Sequence, residues 1–196
     1  MDGGSLHDIL DAKDRRCHVN LDQRLRILEH AADGLAHLHR RNVCHKDLKP
    51  SNILLKIASA STSVSPHYVT KLSDLGLSKV LPGGQVDKSK LLKGTLQFLD
   101  PWYLEHELYG KCSDVYSFGL IVVMVVFGTK SAVEAKQLAS DFGRLDLSIE
   151  EAEALLQQSC IPGDKPAEVL WDLMQLGVAC MNRDPSCRPC MDCSGG

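Results

Sequence analysis

Apolar residues recur at helical spacing near the start of the chain. Leu21, Leu25, Leu28, Ala32, Leu35 and Leu38 stand three or four positions apart and share one helix face. Asn20, with Gln23 three residues on, has the pattern of a capping box, so an amphipathic helix ending near His39 is predicted. The following stretch, NVCHKDLKPSNILL, breaks the period, and Pro50 cannot continue a helix. A loop and then a short strand, Ile53 to Leu55, are expected there. KIASASTSVSPH, from Lys56 to His67, is rich in serine and small residues and predicts a flexible connection, after which Tyr68 to Leu72 reads as a second strand. The two strands are expected to pair as a hairpin.

From Ser73 to about Tyr109 neither period persists, and Gly76, Pro82, Gly83, Gly84, Gly94 and Pro101 interrupt the chain. So long an irregular stretch inside a compact domain marks a functional or disordered segment. Periodicity returns at Ser113, the predicted cap of a helix that runs to Phe127 and stops at Gly128. Its second half, LIVVMVVF, is apolar on every side, which predicts a buried central helix over 113–127. Ser148 with Glu151 predicts another capping box, and Pro166 the first turn of a last helix reaching about Met181. The expected fold class is mainly α, with one small β-hairpin and a long functional loop.

Composition narrows the function classes. A chain of 196 residues, 44% hydrophobic and 24% charged, suits one globular domain with a substantial core. A formal net charge of -3 with scattered basic residues gives no footprint for nucleic acid, which is not an expected partner. The start of the chain lacks the pattern of a secretory signal, and the apolar run Leu120 to Phe127 falls far short of the roughly 18 to 20 residues that span a bilayer. A cytoplasmic location without a transmembrane segment is expected. Eight cysteines without a secretion signal read as free thiols, although Cys180, Cys187, Cys190 and Cys193 have a spacing that could supply metal ligands.

The richest chemistry lies in HKDLKPSN, His45 to Asn52. Phosphoryl transfer needs a group that orients the nucleophile's proton, positive charge at the moving phosphoryl, and oxygen ligands for magnesium. Asp47, Lys49 and Asn52 supply all three, on a segment stiffened by Pro50. Asp74 ends the second strand, so the hairpin returns a second carboxylate beside Asn52 and completes a hard, oxygen-rich site.

HKDLKPSNILL, LSDLGLSK, GTLQFLDPWY, SDVYSFG and NRDPSCRP occur in the order and approximate spacing of the eukaryotic protein kinase C-terminal lobe. They most resemble the plant receptor-like and Pelle-type serine/threonine kinases. The resemblance covers nearly the whole chain, 1–196, and implies a catalytic loop over 45–52 and an activation segment over 74–102. It implies that Asp47 is the catalytic base, that Lys49 contacts the transferred phosphate of ATP, and that Asn52 and Asp74 hold Mg2+. Leu54 would lie under the adenine. Lys49 and Thr95 would favour a serine or threonine acceptor on a protein substrate, and other kinases or receptors are implied as further partners. His45, Asp114 and Arg188 would be structural supports, with Asp114 bonded to the backbone of the catalytic loop. Ser78, Ser89 and Thr95 are candidate phosphorylation sites. As part of a longer receptor-like protein, the chain would work at the inner face of the plasma membrane.

Departures from the family pattern set further expectations. Lys46 replaces the arginine that commonly precedes the catalytic aspartate, and a lysine is a poorer clamp for a phosphorylated activation loop. Asp-Leu-Gly stands for Asp-Phe-Gly at 74–76. Trp102 replaces a glutamate that normally pairs with the arginine at 188, so Glu105 or Glu107 substitutes, or Arg188 turns to solvent, or the lobe is weakened. No G-x-G-x-x-G stretch and no strand lysine precede the catalytic loop. A truncated kinase chain without its N-terminal β-lobe is therefore expected, with a catalytically silent interaction module as the alternative.

Overall fold

A computed structural model describes residues 3–10, 19–58, 67–88, 93–144 and 167–191. Their elements in chain order are α1 (Leu6–Leu10), α2 (Leu21–Arg40), β1 (Val43–Cys44), β2 (Ile53–Ala58), β3 (His67–Leu72), β4 (Lys79–Val80), α3 (Pro101–His106), α4 (Lys111–Phe127), α5 (Ala132–Arg144) and α6 (Ala167–Cys180). Helices dominate the fold, and two small antiparallel sheets, β2 with β3 and β1 with β4, accompany them.

α2 begins as its capping box predicts. The Asn20 side chain accepts the Gln23 N–H at 3.0 Å, and the Gln23 side chain accepts the Asn20 N–H at 2.9 Å. The buried face includes Leu21, Leu28 and Leu35, and it also takes in Ile27 and Ala31, while Leu25 and Ala32 lie at its margin. α4 is buried along nearly its whole length from Ser113 to Val126. It starts two residues before the expected cap. Gly110 occupies the cap position, and Ser113 sits at N3 with its hydroxyl accepting the Gly110 N–H at 3.5 Å. Gly128 ends the helix at φ 65°, as the stop signal predicts.

α6 crosses α4 closely because two glycines face the contact. A Cβ on Gly119 would stand 2.5 Å from the Cys180 Cβ and 2.7 Å from the Gly177 carbonyl oxygen. α5 carries no strong sequence signal because its core face is built largely from Ala132, Ala135 and Ala139, with Phe142 as the one large residue. The capping box expected at Ser148 and Glu151 lies outside the described residues.

The hairpin forms with Ile53 opposite Leu72 and Ala58 opposite His67. Its first strand runs three residues past Leu55, into the stretch expected to be a flexible connection. The segment after Ser73 also holds more structure than its broken period predicts. Lys79–Val80 pairs with Val43–Cys44, and Asp100 caps α3 by accepting the Trp102 N–H at 3.0 Å. A two-residue strand and a six-residue helix are too short to leave a readable period. Cys44, Leu81, Leu99, Tyr103 and Tyr109 form a second small core that fastens this segment to the rest. No single helix among the described residues is long and apolar enough to cross a membrane.

Candidate functional site

Lys46, on the loop that follows β1, adopts φ 72°. A non-glycine residue in the left-handed region costs on the order of 1 kcal/mol or more, so the surrounding contacts must fix it. Asp114, fully buried near the start of α4, supplies them. Its Oδ2 accepts the His45 N–H at 2.8 Å and lies 3.0 Å from His39 Nε2, while its Oδ1 accepts the Lys46 N–H at 3.0 Å and the Tyr109 hydroxyl at 2.6 Å. Burial alone would raise the Asp114 pKa, but the His39, Tyr109 and Lys46 contacts outweigh it and hold the carboxyl below its ordinary range. His45 ties the loop to the hairpin, with its Nε2 3.0 Å from the Ser73 carbonyl oxygen.

Asp47 follows on this fixed loop and is mostly buried. One carboxylate oxygen accepts the Thr95 N–H at 2.9 Å and the Thr95 hydroxyl at 2.8 Å. The other accepts Lys49 Nζ at 2.7 Å and Asn52 Nδ2 at 3.3 Å. Lys49 Nζ also donates to the Thr95 hydroxyl oxygen at 2.8 Å. Gly94 makes this approach sterically feasible. It sits at φ 110°, and a Cβ there would be 2.7 Å from the Lys46 carbonyl oxygen. Burial would raise the Asp47 pKa, and the bonds from Lys49 and Thr95 reverse that and keep the carboxyl below the ordinary carboxylate range. Asp47 is therefore a carboxylate at neutral pH.

Asn52 Nδ2 donates to the Asp47 carbonyl oxygen at 2.8 Å, which leaves its Oδ1 as the atom free for a cation. The Ser73 N–H donates to the Asn52 carbonyl oxygen at 2.9 Å, so Asp74 emerges from β3 next to Asn52. Asp74 is exposed, adopts φ 59°, and among the described residues receives only a long 3.4 Å bond from the Gly76 N–H. An amide oxygen and a carboxylate brought to the same end of the hairpin are donors of the kind that suit a hard divalent cation. Leu54, half-buried, points to the opposite face of β2 from Ile53 and Leu55, both of which are fully buried. The Ser78 hydroxyl donates to the His45 carbonyl oxygen at 3.2 Å, and Ser89 lies outside the described residues.

Two groups here were not legible in the sequence. Asp87 accepts Lys46 Nζ and Lys79 Nζ, each at 2.5 Å. Burial alone would raise the Asp87 pKa, but the bonds and charges of both lysines hold its carboxyl below the ordinary range. Tyr109 is the other, since nothing in the chain's pattern marks its hydroxyl as a partner for Asp114.

Neither Glu105 nor Glu107 takes up Arg188, and Arg188 does not turn to solvent. Its guanidinium grips Asp100 bidentately, with Nη1 to Oδ2 at 2.7 Å and Nη2 to Oδ1 at 2.9 Å, both side chains being buried. It also donates to the Asn182 and Cys112 carbonyls at 2.8 Å. Glu105 and Glu107 stay exposed, and Trp102 stacks on His106 at 3.8 Å. The carboxylate that pairs with Arg188 stands two positions upstream of Trp102, where it also caps α3. Asp100→Asn keeps one acceptor but turns an amide N–H toward the guanidinium and leaves the buried Arg188 charge unpaired, so a loss of about 3 to 5 kcal/mol is expected. Glu105→Gln and Glu107→Gln should stay within about 0.5 kcal/mol of the unaltered protein. Urea midpoints measure all three, and an equal loss from Glu105→Gln would contradict the assignment.

The chain matches the protein kinase domain family over residues 1–193. It is similar to the LRR receptor-like serine/threonine-protein kinase SIK1 of Oryza sativa subsp. japonica, at 32% identity over 201 residues that cover 97% of this chain and 19% of the relative. Two relatives from Arabidopsis thaliana show the same coverage. The probable LRR receptor-like serine/threonine-protein kinase At5g37450 is 32% identical over 203 residues, and the LRR receptor-like serine/threonine-protein kinase ERECTA is 29% identical over 198 residues. The chain spans 19% of the length of these curated relatives.

Proposed function

Because the chain belongs to the protein kinase domain family, we propose that it carries the phosphoryl-transfer machinery of an ATP-dependent serine/threonine kinase. In this reading the described elements are those of the large lobe, with the catalytic loop at 45–52, the activation segment at 74–102 and the central helix at 113–127. The observation that carries it is the Asp47 carboxylate. It is ionised, pinned by four hydrogen bonds, and set beside Lys49 and Asn52 on a loop that Asp114 holds rigid.

Asp47 orients the acceptor hydroxyl and takes up its proton, and Lys49 places positive charge where the transferred phosphoryl oxygens pass. Thr95 holds both groups in register from the other side. The Asn52 Oδ1 and the Asp74 carboxylate would hold magnesium, which supplies charge neutralisation for the phosphates of ATP. Leu54 would provide an apolar surface for the adenine. The acceptor would be a serine or threonine of a protein substrate, supported by the bond between Thr95 and Lys49 and by the names of the relatives. Those relatives are receptor-like kinases by name, and a place on the cytoplasmic side of a membrane belongs to the same proposal.

The test is transfer of label from radiolabelled ATP, with magnesium, to a serine- and threonine-containing acceptor protein. The chain is assayed alone and with a kinase small lobe fused ahead of Met1. Label on serine or threonine supports the reading. No label from either form would sink it and leave a silent binding module.

A further inference from the structure

Lys46 and Asp87 lie 41 residues apart in sequence and are nearly inaccessible, at 2% and 5% exposure. A buried ammonium group persists only where its charge is met, and Asp87 meets it. Lys79, half exposed, adds a second cation to the same carboxylate. The contact belongs to a closed ring of interactions. The Lys46 N–H donates to Asp114, and the Tyr109 hydroxyl donates to the same Asp114 oxygen. The Tyr109 backbone exchanges two hydrogen bonds with the Asp87 backbone, at 2.7 and 3.0 Å. The Asp87 carboxylate then returns to Lys46 Nζ, which also stands 5.1 Å from the centre of the Tyr109 ring. Every link bears on the residue just before Asp47, the one in the left-handed conformation.

We propose that Asp87 is a positioning residue for Asp47: it is a resident anion that locks the 79–88 stretch onto the catalytic loop through Lys46 and Lys79, so that the loop takes its working geometry without an added phosphate. The proposal rests on the reading of Asp47 as the catalytic carboxylate. Both cations that an incoming phosphate would use at this spot already share one carboxylate. Lysine suits the arrangement, because a single carboxylate oxygen satisfies a point charge, whereas a guanidinium fork would favour two.

The test is amide hydrogen exchange on the unaltered protein and on the Asp87→Asn and Asp87→Glu variants. Asp87→Asn is expected to speed exchange at Lys46, Leu81 and Tyr109 by about tenfold or more, with the amides of Leu120 to Val123 in α4 within about threefold of the unaltered rate. Asp87→Glu is expected to restore most of the protection, because it keeps the charge. Phosphatase treatment of the unaltered protein should leave exchange as it was. Unchanged exchange in Asp87→Asn overturns the proposal, as does equal acceleration in α4, a glutamate variant that behaves like the asparagine one, or loosening by phosphatase. Exchange requires no turnover, so this result stands apart from whether phosphoryl transfer is detected. In the form that transfers label, Asp87→Asn should lower kcat about tenfold with the acceptor KM within about twofold, since the loop, and not the acceptor surface, is disturbed.

Discussion

Asp47→Asn is expected to lower phosphoryl transfer by about 10²- to 10⁴-fold, the range that a positioned acid or base contributes. The side chain keeps its size, so the loss reports charge and proton affinity. The geometry also fixes how the amide must sit. Its NH2 cannot face Lys49 Nζ and Asn52 Nδ2, both of which donate. It must turn toward Thr95, where the hydroxyl can rotate to accept but the backbone N–H cannot. One hydrogen bond and the charge facing Lys49 are lost, while the fold is kept. The expected signature is therefore a collapse of kcat in a protein that still melts cooperatively, with a stability loss of about 1 to 3 kcal/mol, measured on whichever form transfers label. A variant that keeps its rate would remove Asp47 from the role of base and take the catalytic reading with it.

How far the site could be read from the sequence depends on the range over which its parts act. The Asn20 cap, the Gly128 stop and the hairpin are local devices, written within a few residues of each other, and they appear where the pattern puts them. The cluster of Asp47, Lys49 and Asn52 is local too, because a six-residue stretch brings its side chains together. Pairings across long separations are different. Asp100 with Arg188 spans 88 residues, and Lys46 with Asp87 spans 41. A charged residue in a loop carries no mark of its distant partner, so the sequence offers Glu105 and Glu107 to Arg188 as readily as it offers Asp100, the residue that holds it. Short elements failed for a related reason. β4 and α3 are held by the core of Cys44, Leu81, Leu99, Tyr103 and Tyr109, whose members are scattered through 66 positions of chain with no shared period.

The stability of the whole site is expected to rest on Asp114. Asp114→Asn should cost roughly 2.5 to 6 kcal/mol, from a lost charge-assisted interaction of about 1.5 to 3 and an orphaned buried donor of about 1 to 3. The orphan is unavoidable. If the amide NH2 replaces Oδ2 it faces the His45 N–H, and if it replaces Oδ1 it faces the Lys46 N–H. His39 or Tyr109 can adjust by tautomer or hydroxyl rotation, but a backbone N–H cannot. Lys46 would then lose what keeps it in the left-handed region, and Asp47 would move with it. The difference between the two proteins should also depend on pH in a defined direction. The folded Asp114 carboxyl lies below its ordinary range, so between that value and the unfolded value of about 3.9 the unfolded chain binds the extra proton. The stabilisation from its charge is thus complete above about pH 5 and is lost as pH falls through about 4 toward the folded pKa. Urea midpoints of both proteins, compared from neutral pH downward, should stay apart by a constant amount and converge only at the acid end. Convergence already between pH 5 and 7 would mean that a group with a raised pKa carries the effect, and Asp114 would not be the anchor of the catalytic loop.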